Sequence, residues 1–124
     1  MIIAFPIDRP NGKHSEVSAH FGHAPYFAAV DLVTGEARFM VAESIREEGE
    51  CAPIRALVAL GVKEVHCRQL GRGALQRCFE AGMRVYQCQG RTIAEALLDR
   101  ALGEAPDLPD GALCEGHTGG CAEP

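Results

Sequence analysis

Two stretches constrain this chain most, "LGVKEVHC" from Leu60 to Cys67 and "AGMRVYQC" from Ala81 to Cys88. Each sets a glycine after a segment of helical period, then a basic residue within a short apolar run of strand character. The segment before the first joint runs from Cys51 to Leu60, with Pro53 near its start and Ile54, Leu57, Val58 and Leu60 apolar. Before the second joint, the glycine-rich "LGRG" leads into Ala74, Leu75, Cys78 and Phe79 at helical spacing. A helix that returns the chain to a second strand is the connection parallel strands need, so the second half reads as successive βα units. An all-α or all-β fold is excluded.

A third helix follows. Thr92 and Glu95 form a capping box, Ile93, Ala96, Leu97, Ala101 and Leu102 give an apolar stripe, and Gly103 closes it. The first half is organised differently. "IIAFPI" from Ile2 to Ile7 is a short buried strand before the turn-rich "DRPNGK", and Tyr26–Val33 and Ala37–Glu43 flank Thr34-Gly35-Glu36 as a β-hairpin. From Glu104 onward Gly, Pro, Ala and acidic residues dominate without periodicity, which marks residues 105–124 as a tail on a single domain of residues 1–104.

At 124 residues and 47% hydrophobic, the chain can bury one core and no more. Twelve basic against 17 acidic residues give a net charge of −5, the wrong sign for a protein that binds phosphate backbones, so nucleic acid is not an expected partner. No apolar run approaches a membrane span, and the opening "MIIAFPI" lacks a basic leader, so a cytoplasmic protein is expected. In a reducing compartment the six cysteines point to ligation, redox chemistry or burial rather than to disulfides.

Chemistry concentrates at three places. In "SAHFGHAPYF", His20 and His23 flank Phe21-Gly22 on a loop where two imidazoles can converge on one metal, or where one packs and the other is solvated. In the tail, Cys114, His117 and Cys121 form Cys-x2-His-x3-Cys on a glycine-rich segment. These are soft ligands for zinc, iron, copper or an iron–sulfur species, or else incidental thiols, and a Cys114–Cys121 bridge is also geometrically open. Cys51 stands at a helix amino terminus, where the dipole favours a thiolate while Glu47, Glu48 and Glu50 oppose it.

Cys67, Cys78 and Cys88 fall at strand ends or on an apolar helix face and read as core, and His66 as a surface or packing residue. Around Arg72, Gly71 and Gly73 offer either an anion cradle or, more simply, a tight strand-to-helix turn. No nucleophile elbow, Cys-x-x-Cys pair or cluster of carboxylates supports catalysis or thiol redox work.

Taken in order, "IIAFPID", "SAHFGHAPYFAAVD", "GECAPIRALVALGVKEVHCRQLGRGALQRCFEAGMRVY" and "GRTIAEAL" resemble the dinitrogenase iron–molybdenum cofactor biosynthesis family over residues 1–104. The resemblance implies an α/β fold of ribonuclease-H-like type, a mixed five-stranded sheet with three helices. It also implies a non-catalytic carrier of an iron–molybdenum, iron–sulfur or molybdenum–copper sulfide cluster, or of its precursor, working with cofactor-assembly proteins as a monomer or homodimer. Within it His20 matches the family's His-Phe-Gly histidine and Cys51 a cysteine found in some relatives. The Cys- and His-rich ending matches a habit of several members, which favours ligation by Cys114, His117 and Cys121. His23 stands where relatives often carry arginine, and "REEGE" replaces the His-rich run of some relatives. The expected site is therefore His20, His23 and Cys51 for a cluster, with Cys114, His117 and Cys121 as metal ligands. The competing expectation is a regulatory or scaffolding module with structural zinc, or no metal, in its tail.

Overall fold

The computed structural model describes residues 1–43, 52–108 and 113–114. Five strands form the main sheet: β1 (Ile2–Ile7), β2 (Tyr26–Asp31), β3 (Ala37–Val41), β4 (Val62–Cys67) and β6 (Arg84–Gln87). Their order is β3-β2-β1-β4-β6. The first three pair antiparallel, and β1–β4 and β4–β6 pair parallel. Three α-helices lie among the described residues: α1 (Ala52–Ala59), α2 (Arg72–Glu80) and α3 (Ile93–Ala101). This is the mixed five-stranded α/β arrangement expected from the sequence. A second ladder, not foreseen, pairs β5 (Leu70–Gly71) parallel with β7 (Leu113–Cys114).

The joints behave as their sequences require. At the end of α2, Gly82 adopts φ 83° and donates to the Phe79 carbonyl at 3.0 Å, and Met83 donates to Cys78 at 2.8 Å. A side chain at Gly82 would be strained in that left-handed conformation, so glycine both ends the helix and aims β6 back at the sheet. Gly61, at φ 84° after α1, turns the chain into β4 in the same way.

Alternation along the strands sorts the core into two layers. On one face Ala4, Phe27, Val65, Cys67 and Val85 pack against Ile54 and Leu57 of α1 and Ala74 and Cys78 of α2. On the other, Ile3, Phe5, Ile7, Ala28 and Val30 pack against Ile93 and Ala96 of α3. Each fully buried aliphatic or aromatic side chain contributes roughly 1.5–3 kcal/mol relative to exposure. The three interior strands, β2, β1 and β4, are buried on both faces over most of their length and form the platform of the sheet.

Past α3 the chain returns along the sheet edge. Gln87 donates its backbone N–H to the Pro106 carbonyl at 2.8 Å, and Tyr86 bridges to Asp107. No described helix is long and apolar enough to cross a membrane.

Candidate functional site at the carboxyl end of the sheet

The parallel strands β1, β4 and β6 all finish at one end of the sheet, at Ile7, Cys67 and Gln87. From there β1 leads to β2 on one side and β4 to β6 on the other, so the chain paths diverge between β1 and β4. Open α/β sheets bind ligands in the crevice that such a divergence leaves at the carboxyl ends. Here the loop after β1 and the short segment after β4 stand at that end and touch each other.

Residues 8–25 form the loop after β1. Val17 bridges to Ile7, and Ser18 donates its N–H to the Pro6 carbonyl at 2.8 Å and its hydroxyl to Asp8 Oδ1 at 2.7 Å. These bonds hold the loop against the end of β1. Phe21 then enters the core, its ring centroid 5.0 Å from that of Phe27, in a single turn of 3-10 helix at Phe21–His23. Its N–H donates to the Gln69 carbonyl at 3.0 Å, which joins the loop to the segment after β4.

His20 and His23 flank this anchor and remain exposed, with ring centroids 5.9 Å apart at an interplanar angle of 82°. The fold thus brings together the two histidines singled out in the sequence. Their spacing follows from the tight turn, in which the His23 N–H points to the His20 carbonyl at 3.4 Å. Two imidazole nitrogens at such spacing offer borderline-soft ligands on a loop whose position the Phe21 ring fixes.

The β5–β7 ladder forms the continuation. Its register sets Leu70 beside Leu113 and Gly71 beside Cys114. Gly71 is also the residue that opens α2, with φ −69° and ψ 148°. Cys114 is therefore stitched by backbone pairing to the segment that receives the Phe21 hydrogen bond. Of the "LGRG" glycines, Gly71 belongs to this ladder in ordinary extended backbone and Gly73 lies within the first turn of α2. Cys51, His117 and Cys121 lie outside the described residues; Cys51 directly precedes Ala52, the first residue of α1. Among the described residues, no group of three or more His, Cys, Asp or Glu side chains is placed to hold a metal ion.

The remaining cysteines are core residues, as their sequence positions suggested. Cys67, Cys78 and Cys88 are buried, and burial pushes the Cys78 thiol up to about 12 and the Cys88 thiol upward as well. A thiol held protonated in this way is a poor ligand and nucleophile. Cys88 donates to the Gly90 carbonyl at 3.1 Å, which also receives Arg68 Nη2 at 3.1 Å.

A buried polar cluster escaped the sequence reading. His66, 1% exposed, packs between the rings of Phe5 and Tyr86, and its Nε2 lies 3.1 Å from Glu64 Oε1. Arg100 of α3 grips the same carboxylate. The Arg100 hydrogen bonds hold the Glu64 carboxyl below the usual range against the opposing effect of burial, while burial pushes the His66 imidazole down despite Glu64. With Glu64 ionised as an acceptor, the neutral imidazole carries its proton on Nε2. The alternation of Glu64 and His66 along β4 opposite a helical arginine was the available signal, but nothing local to the sequence pairs Arg100 with them.

The topology and the histidine turn together define a small mixed α/β domain with two exposed imidazoles at the carboxyl end of its sheet. The family model described as dinitrogenase iron-molybdenum cofactor matches residues 1–101, and the chain belongs to that family. Among solved structures, the chain is similar to the apo form of the orange protein from Desulfovibrio gigas, at 26% identity and TM-score 0.74, covering 86% of this chain and 91% of that one. It is also similar to a proposed NifB protein from Thermotoga, at 26% identity and TM-score 0.71 with the same coverages. A proposed dinitrogenase from Methanococcus jannaschii shares the fold alone, at 15% identity and TM-score 0.67, covering 89% of this chain and 94% of that one. A comparison with curated protein sequences gives no significant match.

Proposed function

We propose that this protein binds and carries a metal–sulfur cluster, of iron–molybdenum or iron–sulfur type, or its precursor, and does so without catalysing a reaction. One observation carries this reading. The exposed His20–His23 pair and Cys114, far apart in the chain, are joined to the same short segment after β4, one through the Phe21–Gln69 hydrogen bond and the other through the β5–β7 ladder. Family membership supplies the class of cargo.

The chemistry follows from the ligand types. Imidazole nitrogen exchanges readily on iron, copper and molybdenum, and thiolate neutralises metal charge. Loop and tail ligands on a rigid sheet suit a cargo that must enter and leave. In this proposal His20, His23 and Cys51 contact the cluster, and Cys114, His117 and Cys121 close on it from the tail. The protein works in the cytoplasm and passes its cargo to cofactor-assembly proteins.

The test is elemental analysis for metal and sulfide, with an ultraviolet–visible spectrum, on the full chain purified without oxygen. Alongside it run His20→Ala, Cys51→Ala and a chain lacking residues 113–124. Iron, molybdenum or copper with sulfide and a charge-transfer band, diminished in these variants, is the expected result. Zinc alone, near one per chain and lost with the tail, would instead establish a structural site.

A further inference from the structure

Asparagine occurs once in this chain, at position 11, and glycine follows it. A side-chain amide is most open to attack by its own backbone in this pair, because glycine has no Cβ to keep its N–H away from the carboxamide carbon. The fold sets the pair on the surface. Asn11 and Gly12 are exposed in the loop after β1, Gly12 stands at φ 56°, and a Cβ built on it would meet nothing within 4 Å.

The turn's hydrogen bonds leave the reacting groups aside. The Asn11 N–H donates to Ser15 Oγ at 2.7 Å, and the Asn11 carbonyl accepts from the His14 N–H at 3.0 Å. The Gly12 carbonyl accepts from the Ser15 N–H at 3.3 Å and from its hydroxyl at 2.8 Å. The Gly12 N–H and the Asn11 carboxamide take part in none of these bonds, so neither has to be released from one before the two meet.

We propose that Asn11 is a modification site, at which the folded chain converts its own amide to aspartate and isoaspartate. The Gly12 nitrogen attacks Asn11 Cγ, the new C–N bond closes a cyclic imide, and the side-chain nitrogen leaves as ammonia with the proton that Gly12 gives up. Water then opens the imide. Cleavage of the bond to Cγ restores the main chain and leaves aspartate, while cleavage of the bond to the Asn11 main-chain carbonyl carbon routes the chain through Cγ and leaves isoaspartate.

Either product carries a carboxylate where the amide stood. It joins Asp8 and Glu16 around a cavity of about 300 Å³ whose basic side chains are Arg9 and His14. Isoaspartate also lengthens the turn by one main-chain carbon. That turn holds α3, whose first N–H groups have no partner within the helix: the Lys13 carbonyl accepts from Ala94 at 2.9 Å and the Ser15 carbonyl from Ile93 at 3.0 Å. A lengthened turn therefore holds the amino end of α3 less well. The reaction needs no cargo, so it is tested apart from cargo binding.

The full chain is incubated in mildly alkaline buffer, folded and, in parallel, unfolded in urea. Peptide mass mapping follows the loss of the amide, and methyl transfer from labelled S-adenosylmethionine by a protein isoaspartate methyltransferase follows the isoaspartate. The expected result is the amide-to-carboxylate mass gain on the peptide that contains Asn11, with methyl acceptance on the same peptide, at a folded-chain rate within severalfold of the unfolded one. The rate should rise with pH, since the Gly12 nitrogen attacks after losing its proton. Asn11→Gln, whose ring would have one more member, should lose both signals on that peptide with an unchanged circular dichroism spectrum, as expected for an exposed side chain. Aged wild-type protein should melt below fresh protein, and aged Asn11→Gln should not. A folded chain that keeps Asn11 intact while the unfolded chain converts overturns the proposal, because the turn then protects the pair. So does a mass gain confined to another position, such as Gln89 before Gly90.

Discussion

Arg100 holds Glu64 with two nitrogens, Nε to Oε1 at 2.8 Å and Nη2 to Oε2 at 2.9 Å, and so ties α3 to β4 across the sheet face. The fork matches the planar carboxylate, which a lysine cannot do. Removing it in Arg100→Ala leaves a buried carboxylate without its cation, at an expected cost of about 1–3 kcal/mol. Arg100→Lys should recover part of that. Urea denaturation monitored by circular dichroism measures both, and equal stabilities for all three proteins would show that the pair contributes nothing.

The same cluster sets a pH dependence. His66 has its folded value depressed below the ordinary 6.5, so the unfolded chain takes up this proton first. Stability is therefore full above about 6.5 and falls as pH drops through the window below it. Glu64 is depressed below its ordinary 4.5, so its contribution is present above that value and is lost at still lower pH. His66→Gln should flatten the first decline and leave the second. A melting temperature measured against pH in both proteins decides this, and an unaltered upper decline in His66→Gln would contradict it.

The capping of α3 gives a local prediction. Glu95 donates its N–H to Thr92 Oγ1 at 3.3 Å, as the Thr-x-x-Glu spacing implied. The Glu95 carboxylate receives the Arg91 N–H rather than that of the cap residue, at 2.5 Å. Thr92→Ala should cost about 1 kcal/mol. Gly90→Ala should cost about 1–3 kcal/mol, because its Cβ would stand 2.5 Å from Glu95 Cβ and force the loop to shift. Thermal melts of both variants would expose any failure of this ordering.

Local rules explain which parts of the molecule were legible in the sequence. Gly61, Gly82, Thr92 and the hairpin turn at Gly35 act through neighbours within a few residues, and each element they bound lies where periodicity implied. Long-range pairings have no such signature. The ladder that sets Gly71 beside Cys114 involves two residues per strand, too few for a period. The grip of Arg100 on Glu64 crosses from helix to strand, and the burial of His66 follows from Phe5 and Tyr86 on neighbouring strands. His20 and His23 were legible as a pair because the turn holding them is local, whereas the Phe21–Gln69 hydrogen bond that docks this turn was not.

Phe21 links the core to the candidate site and gives the sharpest separation of stability from binding. It is 2% exposed and packed on Phe27, while its N–H bonds Gln69. Phe21→Ala should cost about 3–5 kcal/mol through the cavity it leaves, and it should also weaken cluster retention by releasing the turn that sets His20 against His23. His20→Ala removes an exposed side chain and should change stability by less than about 0.5 kcal/mol while lowering metal content. Denaturation midpoints and metal-to-protein ratios from the same preparations distinguish the two. If His20→Ala retains its metal while Phe21→Ala loses it, the histidine is not a ligand, and the turn acts only through the fold it anchors.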